Sequence, residues 1–465
     1  MLDGSMAEEP DHAPEAAGHE PVSEPGATAE AEERAPEVPV MRPDAARFSF
    51  PERFLWGTST SAQQVEGNIT NNDWSAWEDA GRVSVRSGLA CDHYHRFRGD
   101  FDLAHDLAHN AHRFSLEWSR IEPEENRFSE KELQHYREVI EALRTRGLEP
   151  IVTIHHYTFP RWLAEKGGWD HGAIERYYVR YVSRVVDAYK DLVRWWITLN
   201  EPIVQVFKGW IIGQWPPGRV SDYPRALQAI RRMLRSHVLA YRAIHERRPD
   251  AMVSVAKHCL ALTPNHPHNP FDWISTRTRG FLFNELFLDA LQTGRLALPG
   301  QFFERLPFGR TLDFIGINYY TRDFVRNTGL NLPGLVGTSG TLEVERRIGK
   351  RNDLGWEVYP EGLGHFLRDF HRYRLPLLIT ENGIPAVDED DRWGFIYLHL
   401  WQVMRAMATR IPVVGYLYWS LLDNYEWTDG YSARFGLIGV NFKTQERIVR
   451  PSGRWLAELI RKRSL

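Results

Sequence analysis

From Phe48 onward the chain repeats one pattern. A short apolar run is followed by a polar loop, a long stretch with apolar positions three and four apart, and another short apolar run. The runs predict strands at residues 55–58, 111–117, 149–155, 193–199, 252–258, 314–318, 377–380 and 413–419. The segments between them read as amphipathic helices, clearest at 130–146, 173–190, 224–247 and 394–408, the last after an acidic start at 388–391. Strand and helix alternating eight times predict an α/β fold, a single-domain (β/α)8 TIM barrel with every strand parallel and buried on both faces. An open doubly wound sheet would want a glycine-rich first turn, whereas the first strand leads into Thr60-Ser61-Ala62-Gln63-Gln64. With no internal repeat visible, the barrel is expected to occupy residues 47–465.

Residues 1–46 depart from this pattern. They are rich in Glu, Ala and Pro and nearly free of large apolar side chains, so burial cannot offset the entropy of ordering, and a flexible tail is expected. Its opening Met-Leu-Asp-Gly-Ser-Met resembles a cloning scar ahead of a second start. No cationic segment leads into an apolar one there, and no eighteen uncharged apolar residues run together anywhere, so neither a secretory leader nor a membrane span is predicted. Cys91 and Cys259 are far apart and lack metal or redox spacing, which fits a reducing, cytoplasmic setting.

Charge narrows the partners. A formal net charge of −4 gives no electrostatic case for nucleic acid or an anionic membrane. The arginines at 231, 232 and 235 and the basic end at 461–463 read as solvated faces. Asp92-His93-Tyr94-His95 and His266-Pro267-His268 lack a third ligand at a recognised spacing, so no metal and no cofactor is expected. A small-molecule substrate is the expected partner, with homo-oligomerisation left open.

The chemistry is anchored on two strand ends. Leu377-Leu378-Ile379-Thr380 stops at Glu381-Asn382-Gly383, read as a carboxylate followed by a tight turn, and Trp195-Trp196-Ile197-Thr198-Leu199 stops at Asn200-Glu201-Pro202. Either glutamate alone would more often cap a helix or pair with an arginine. In a barrel, though, the C-terminal strand ends converge on one mouth. That rule gathers Gln64, Arg113, His156, Asn200, Glu201, Asn318, Tyr320, Glu381 and Trp419 around one pocket. Two carboxyl groups among amides, an imidazole and aromatic rings suit glycoside hydrolysis, in which one protonates the leaving oxygen while the other attacks the anomeric carbon. Arg113 and the Tyr320 hydroxyl are expected to keep Glu381 anionic, as nucleophile, and neutral neighbours to keep Glu201 protonated, as acid/base. Glu117, a competing carboxylate, is read as structural, with an arginine as its expected partner.

These stretches resemble family 1 of the glycoside hydrolases, the β-glucosidase and β-glycosidase family. Thr198-Leu199-Asn200-Glu201-Pro202 is similar to its T-[FL]-N-E-P motif, and Ile379-Thr380-Glu381-Asn382-Gly383 to its I-T-E-N-G. Further similar runs lie at 61–67, 113–120, 316–320, 355–363, 419–427 and 434–436, so the resemblance spans the chain from about Phe48 to the C-terminus. It implies a retaining hydrolase of β-D-glucosides, and of β-galactosides and β-fucosides, with Glu201 as acid/base and Glu381 as nucleophile. It further implies that Gln64, His156, Asn200, Glu426 and Trp427 bind the sugar hydroxyls, that Trp419 is the stacking floor, and that Asn318 and Tyr320 orient the nucleophile. A Glu426 carboxylate would repel a phosphorylated sugar.

Three departures from the family pattern stand out. Gln63 replaces the usual Tyr, and His156-Tyr157-Thr158-Phe159-Pro160 replaces H-W-D-L-P, so a smaller, hydroxyl-bearing ring sits where a tryptophan is usual. The segments 258–313 and 321–355 look short, which predicts an open leaving-group side. A retaining mechanism expects the two carboxyl groups roughly 5 to 5.5 Å apart.

Overall fold

The structure is a computed structural model and describes residues 49–298, 301–340 and 349–465. The tail expected at 1–46 lies outside these residues. Eight parallel strands form the barrel: β1 (Leu55–Ser59), β2 (Ala111–Ser115), β3 (Glu149–His155), β4 (Trp195–Asn200), β5 (Met252–Pro264), β6 (Ile315–Arg326), β7 (Leu377–Asn382) and β8 (Val413–Trp419). β1 pairs with both β2 and β8, the pairing runs in order through β6, and β6 pairs with β7 to close the ring. Closure leaves no open edge in the barrel wall.

A helix follows each strand: α1 (His93–Asp106), α2 (Glu130–Thr145), α3 (Ile174–Tyr189), α4 (Tyr223–Arg247), α5 (Leu286–Thr293), α6 (Pro360–Phe370), α7 (Glu389–Ala408) and α8 (Pro451–Lys462). Local chemistry sets their starts. The Ser129 side chain accepts from the Glu132 amide before α2, and Asp388 accepts from the Asp390 amide before α7, whose first turn carries Glu389, Asp390 and Asp391. Asp222 caps α4, with Pro224 in its first turn. Among the described residues, no helix is long and apolar enough to cross a membrane.

Two apolar regions hold the barrel. Ala111, Ile151, Ile197, Ala256, Phe314, Leu378 and Leu417 come from strands around the ring and meet near its N-terminal end, so the barrel is packed below the mouth. A larger cluster fills the space between the outer strand faces and the helices, with Tyr178, Val182 and Val185 of α3 and Leu234 and Val238 of α4 among its members.

Several boundaries differ from the sequence expectation. β2 ends at Ser115, and Glu117 instead caps a short helix at Trp118–Ile121 by accepting from the Ser119 amide. Its other partners are the Ser119 and Thr158 hydroxyls and the Asn72 amide; the expected arginine is not among them, because Arg120 pairs with Glu66. β5 and β6 run past the rim as a paired ribbon, from Ala261 opposite Arg322 to Pro264 opposite Val325. Asn382-Gly383 does not form the expected tight turn, since β7 continues through Asn382, whose side-chain Nδ2 donates to the Tyr319 carbonyl. The glycine serves close approach instead: a Cβ there would sit 1.8 Å from the Trp419 carbonyl oxygen. Gly383→Ala should therefore force β7 and β8 apart, lowering stability by about 3 kcal/mol. Thermal unfolding of the purified variant checks this.

Candidate active site

Both glutamates stand where strand pairing slips. The β4–β5 register shifts between Ile197 and Asn200, and the β6–β7 register shifts between Ile379 and Glu381, which leaves Glu381 opposite Asn318. Such irregularities re-aim the side chain that follows. Glu201, just beyond β4, adopts a left-handed backbone with φ of 41°, and so do Tyr157 at 74° and Trp427 at 50°. Three strained non-glycine residues around one pocket mark a site that the surrounding structure holds in shape.

Glu381 is buried against Arg113, whose guanidinium donates to its Oε1, while the Tyr320 hydroxyl donates to its Oε2 at 2.5 Å. Arg113 also donates to Thr153 Oγ1 at 2.9 Å and to Asn200 Oδ1 at 2.6 Å. The same Asn200 oxygen accepts from Asn318 Nδ2 at 3.2 Å, and that amide nitrogen donates to Glu201 Oε1 at 2.8 Å. Thr380 Oγ1 donates to Asn318 Oδ1 at 2.6 Å, fixing which end of the amide faces Glu201. One hydrogen-bonded chain thus links the two carboxyl groups.

The remaining predicted residues line the same mouth. Asn200 Nδ2 lies 3.1 Å from His156 Nε2, and the His156 ring is nearly parallel to Trp419 and Trp427, with centroids 6.3 and 6.2 Å away. Trp419 Nε1 donates to Glu426 Oε1 at 2.9 Å. Gln64 also hydrogen-bonds Glu426, and its amide donates to Asn424 at 3.0 Å. All eleven candidate residues meet in this pocket.

Two residues passed over in the sequence complete it. His258, at the rim of β5, places Nδ1 3.1 Å from Glu201 Oε1, and the Tyr157 hydroxyl donates to Glu201 Oε2. The expectation that Glu201 has neutral surroundings is therefore corrected, because an ionisable imidazole faces it. Both residues carry a signal in the sequence: Tyr157 departs from the motif, and His258 is the last residue of the predicted fifth strand, 252–258.

The electrostatics follow from these contacts. Burial works to raise the Glu201 carboxyl, while His258, Tyr157 and Asn318 act to lower it. Burial, helped by the negative charge of Glu201, raises the Glu381 carboxyl against the pull of Arg113. Burial also lifts Glu426 to about 8, so near neutral pH it is largely protonated and repels a phosphate less than a full carboxylate would.

Among the described residues, no three His, Cys, Asp or Glu side chains cluster as metal ligands. His93 instead pairs with Asp100, and His95 with Asp92.

Comparison with known proteins decides the family. The family described as Glycosyl hydrolase family 1 matches residues 46–465. The chain belongs to that family. It is 33% identical to Beta-glucosidase A of Thermotoga maritima over 451 residues, covering 90% of this chain and 98% of that one. It is 30% identical to a Beta-galactosidase of Pyrococcus woesei, covering 86% and 94%. A solved beta-glycosidase from Pyrococcus horikoshii superposes with a TM-score of 0.83 at 37% identity, covering 90% and 96%. As a family 1 glycosyl hydrolase, the protein is an enzyme acting on small-molecule glycosides.

Tyr320 is the directional donor to Glu381 Oε2. Tyr320→Phe removes that donor with little change in shape, so kcat for an aryl β-glycoside should fall about a hundredfold with KM changed much less. Steady-state kinetics at several pH values measure it.

Proposed function

We propose that the protein is a retaining β-glycosidase that hydrolyses terminal β-linked sugars, β-D-glucosides foremost, with β-galactosides and β-fucosides as further substrates. The observation that carries this reading is the hydrogen-bonded chain from Glu381 through Arg113, Asn200 and Asn318 to Glu201. Two carboxyl groups tied to common neighbours across one buried pocket are what a double displacement needs. The relatives named beta-glucosidase and beta-galactosidase support the choice of sugars.

In the first step the Glu381 carboxylate attacks the anomeric carbon as the C–O bond to the leaving group breaks. Glu201 gives its proton to the departing oxygen. In the second, the Glu201 carboxylate takes a proton from water, the water oxygen bonds to the anomeric carbon, and Glu381 leaves as carboxylate. Arg113 and Tyr320 stabilise the charge that returns to Glu381. Trp419 supplies the face on which the sugar ring stacks, and Gln64, His156, Asn200, Glu426 and Trp427 read its hydroxyls. A protonated Glu426 can donate to one hydroxyl and accept from another, which suits a neutral sugar.

The short segments 258–313 and 321–355 support an open leaving-group side. The two buried free thiols, Cys91 and Cys259, fit a reducing, cytoplasmic setting.

Paired variants test the roles. Glu381→Gly should lose turnover by a factor of about 10⁴ or more and regain it with azide or formate, giving a product of inverted configuration. Glu201→Ala should spare substrates with good leaving groups, such as 2,4-dinitrophenyl β-D-glucoside, and lose 4-nitrophenyl and alkyl glucosides. Rescue with inversion at position 201 would reverse the assignment. A panel of 4-nitrophenyl glucoside, galactoside, fucoside, mannoside and 6-phosphoglucoside measures the sugar preference, and octyl β-glucoside measures the leaving-group side. Glucoside should be fastest and 6-phosphoglucoside slowest.

A further inference from the structure

Glu201 does not present its two oxygens alike. Oε1 receives Asn318 Nδ2 at 2.8 Å and faces His258 Nδ1 at 3.1 Å, so both of its lone-pair directions are met. Oε2 has one partner among the described residues, the Tyr157 hydroxyl, which leaves it a second lone-pair direction. An acid must carry its proton on an oxygen that can face the leaving group. Of the two, Oε2 is the one with room for it.

Tyr157 is tied to the same segment as Glu201 by two separate contacts. Besides the hydroxyl bond, its carbonyl accepts from Gln205 Nε2 at 2.7 Å, and Gln205 lies on the short helix Pro202–Val206 that starts directly after Glu201. Gln205 is itself fixed, because its Oε1 accepts from Trp169 Nε1 at 3.3 Å. The Tyr157 ring is buried between Trp215 and Trp427, with centroids 4.8 and 5.3 Å away, and the His156 ring lies 4.9 Å from it. Packing from these sides and the carbonyl bond hold a left-handed backbone that a tyrosine would otherwise leave. The phenol is therefore aimed at Oε2 before any substrate arrives.

We propose that Tyr157 is a positioning residue for the acid, one that sets the Glu201 carboxyl so that Oε2 delivers the proton and that stabilises the carboxylate left behind. In the first step the O–H bond at Oε2 breaks and an O–H bond forms on the leaving oxygen, which also takes the electron pair of the breaking C–O bond. The Tyr157 O–H bond stays intact throughout. Its hydrogen bond strengthens as negative charge appears on Oε2, because a charged acceptor binds a donor more tightly than a neutral one. A contact that is stronger in the transition state than in the ground state lowers the barrier. The inference rests on the reading of Glu201 as acid/base.

The size of the effect depends on how much the leaving group needs a proton. Tyr157→Phe keeps the ring between Trp215 and Trp427 and removes only the donor. Its kcat/KM should fall about thirtyfold with phenyl β-D-glucoside, less with 4-nitrophenyl β-D-glucoside, and by under about threefold with 2,4-dinitrophenyl β-D-glucoside, whose leaving group departs unprotonated. A role in packing or in sugar binding alone would lower all three alike. An equal loss across the series, or no loss with phenyl β-D-glucoside, overturns the proposal. Circular dichroism checks the fold, and should the Phe variant not fold, Tyr157→Met fills the site without a donor and is read in the same way. Glu201→Ala separates the two levels. If it spares 2,4-dinitrophenyl β-D-glucoside while Tyr157→Phe leaves phenyl β-D-glucoside unchanged, the inference alone fails; if it damages all leaving groups equally, the acid/base reading fails and the inference with it.

Discussion

The structure around the mouth depends on burying the Arg113 guanidinium. It sits inside the barrel with no exposure, and its charge meets the Glu381 carboxylate directly. A lone buried cation would cost several kcal/mol, so the group is tolerated because it is paired and its other N–H groups are used by Thr153, the Thr380 carbonyl and Asn200. The geometric consequence is strong. Arg113 of β2 reaches across the ring to β7 and β4, fixing three strand ends against one another where the pairing has slipped. Removing either charge strands the other in low dielectric, which is why this contact sets both the shape of the pocket and the energy of its carboxylates.

From that constraint follows the asymmetry of the two glutamates. Glu381 has a permanent cation beside it and is nonetheless lifted by burial and by the charge of Glu201. Glu201 faces the His258 imidazole together with two neutral donors, the Tyr157 hydroxyl and the Asn318 amide. Two like charges in one dry pocket raise each other's cost of ionisation, so the two carboxyl groups titrate as a coupled pair. Tyr157 contributes a hydroxyl to that pocket and not simply a ring.

The fold was legible because its signal is repetitive. Eight apolar runs separated by helical stretches admit few architectures, and strand 413–419 was placed to the residue. Boundaries failed where tertiary pairing extends or cuts a run. β5 and β6 continue as a ribbon because they pair with each other beyond the rim, and β2 stops early because Glu117 is recruited to cap a helix. At Gly383 the wrong reason was inferred for the right residue. Asn-Gly suggested a turn, but the glycine exists because the Trp419 carbonyl lies where a side chain would be.

The sequence by itself determined the barrel, the two glutamates and most of the pocket, since the convergence of strand ends follows from closing a parallel sheet. What the tertiary structure decided was the company each group keeps. Glu117 found hydroxyls in place of an arginine, and Glu201 found an imidazole in place of neutral walls. Periodicity reports which side of a strand a residue faces, but electrostatic environment depends on distances of about 3 Å between side chains from different strands. Those distances are set by the register and twist of the closed ring, and no local stretch of chain contains them.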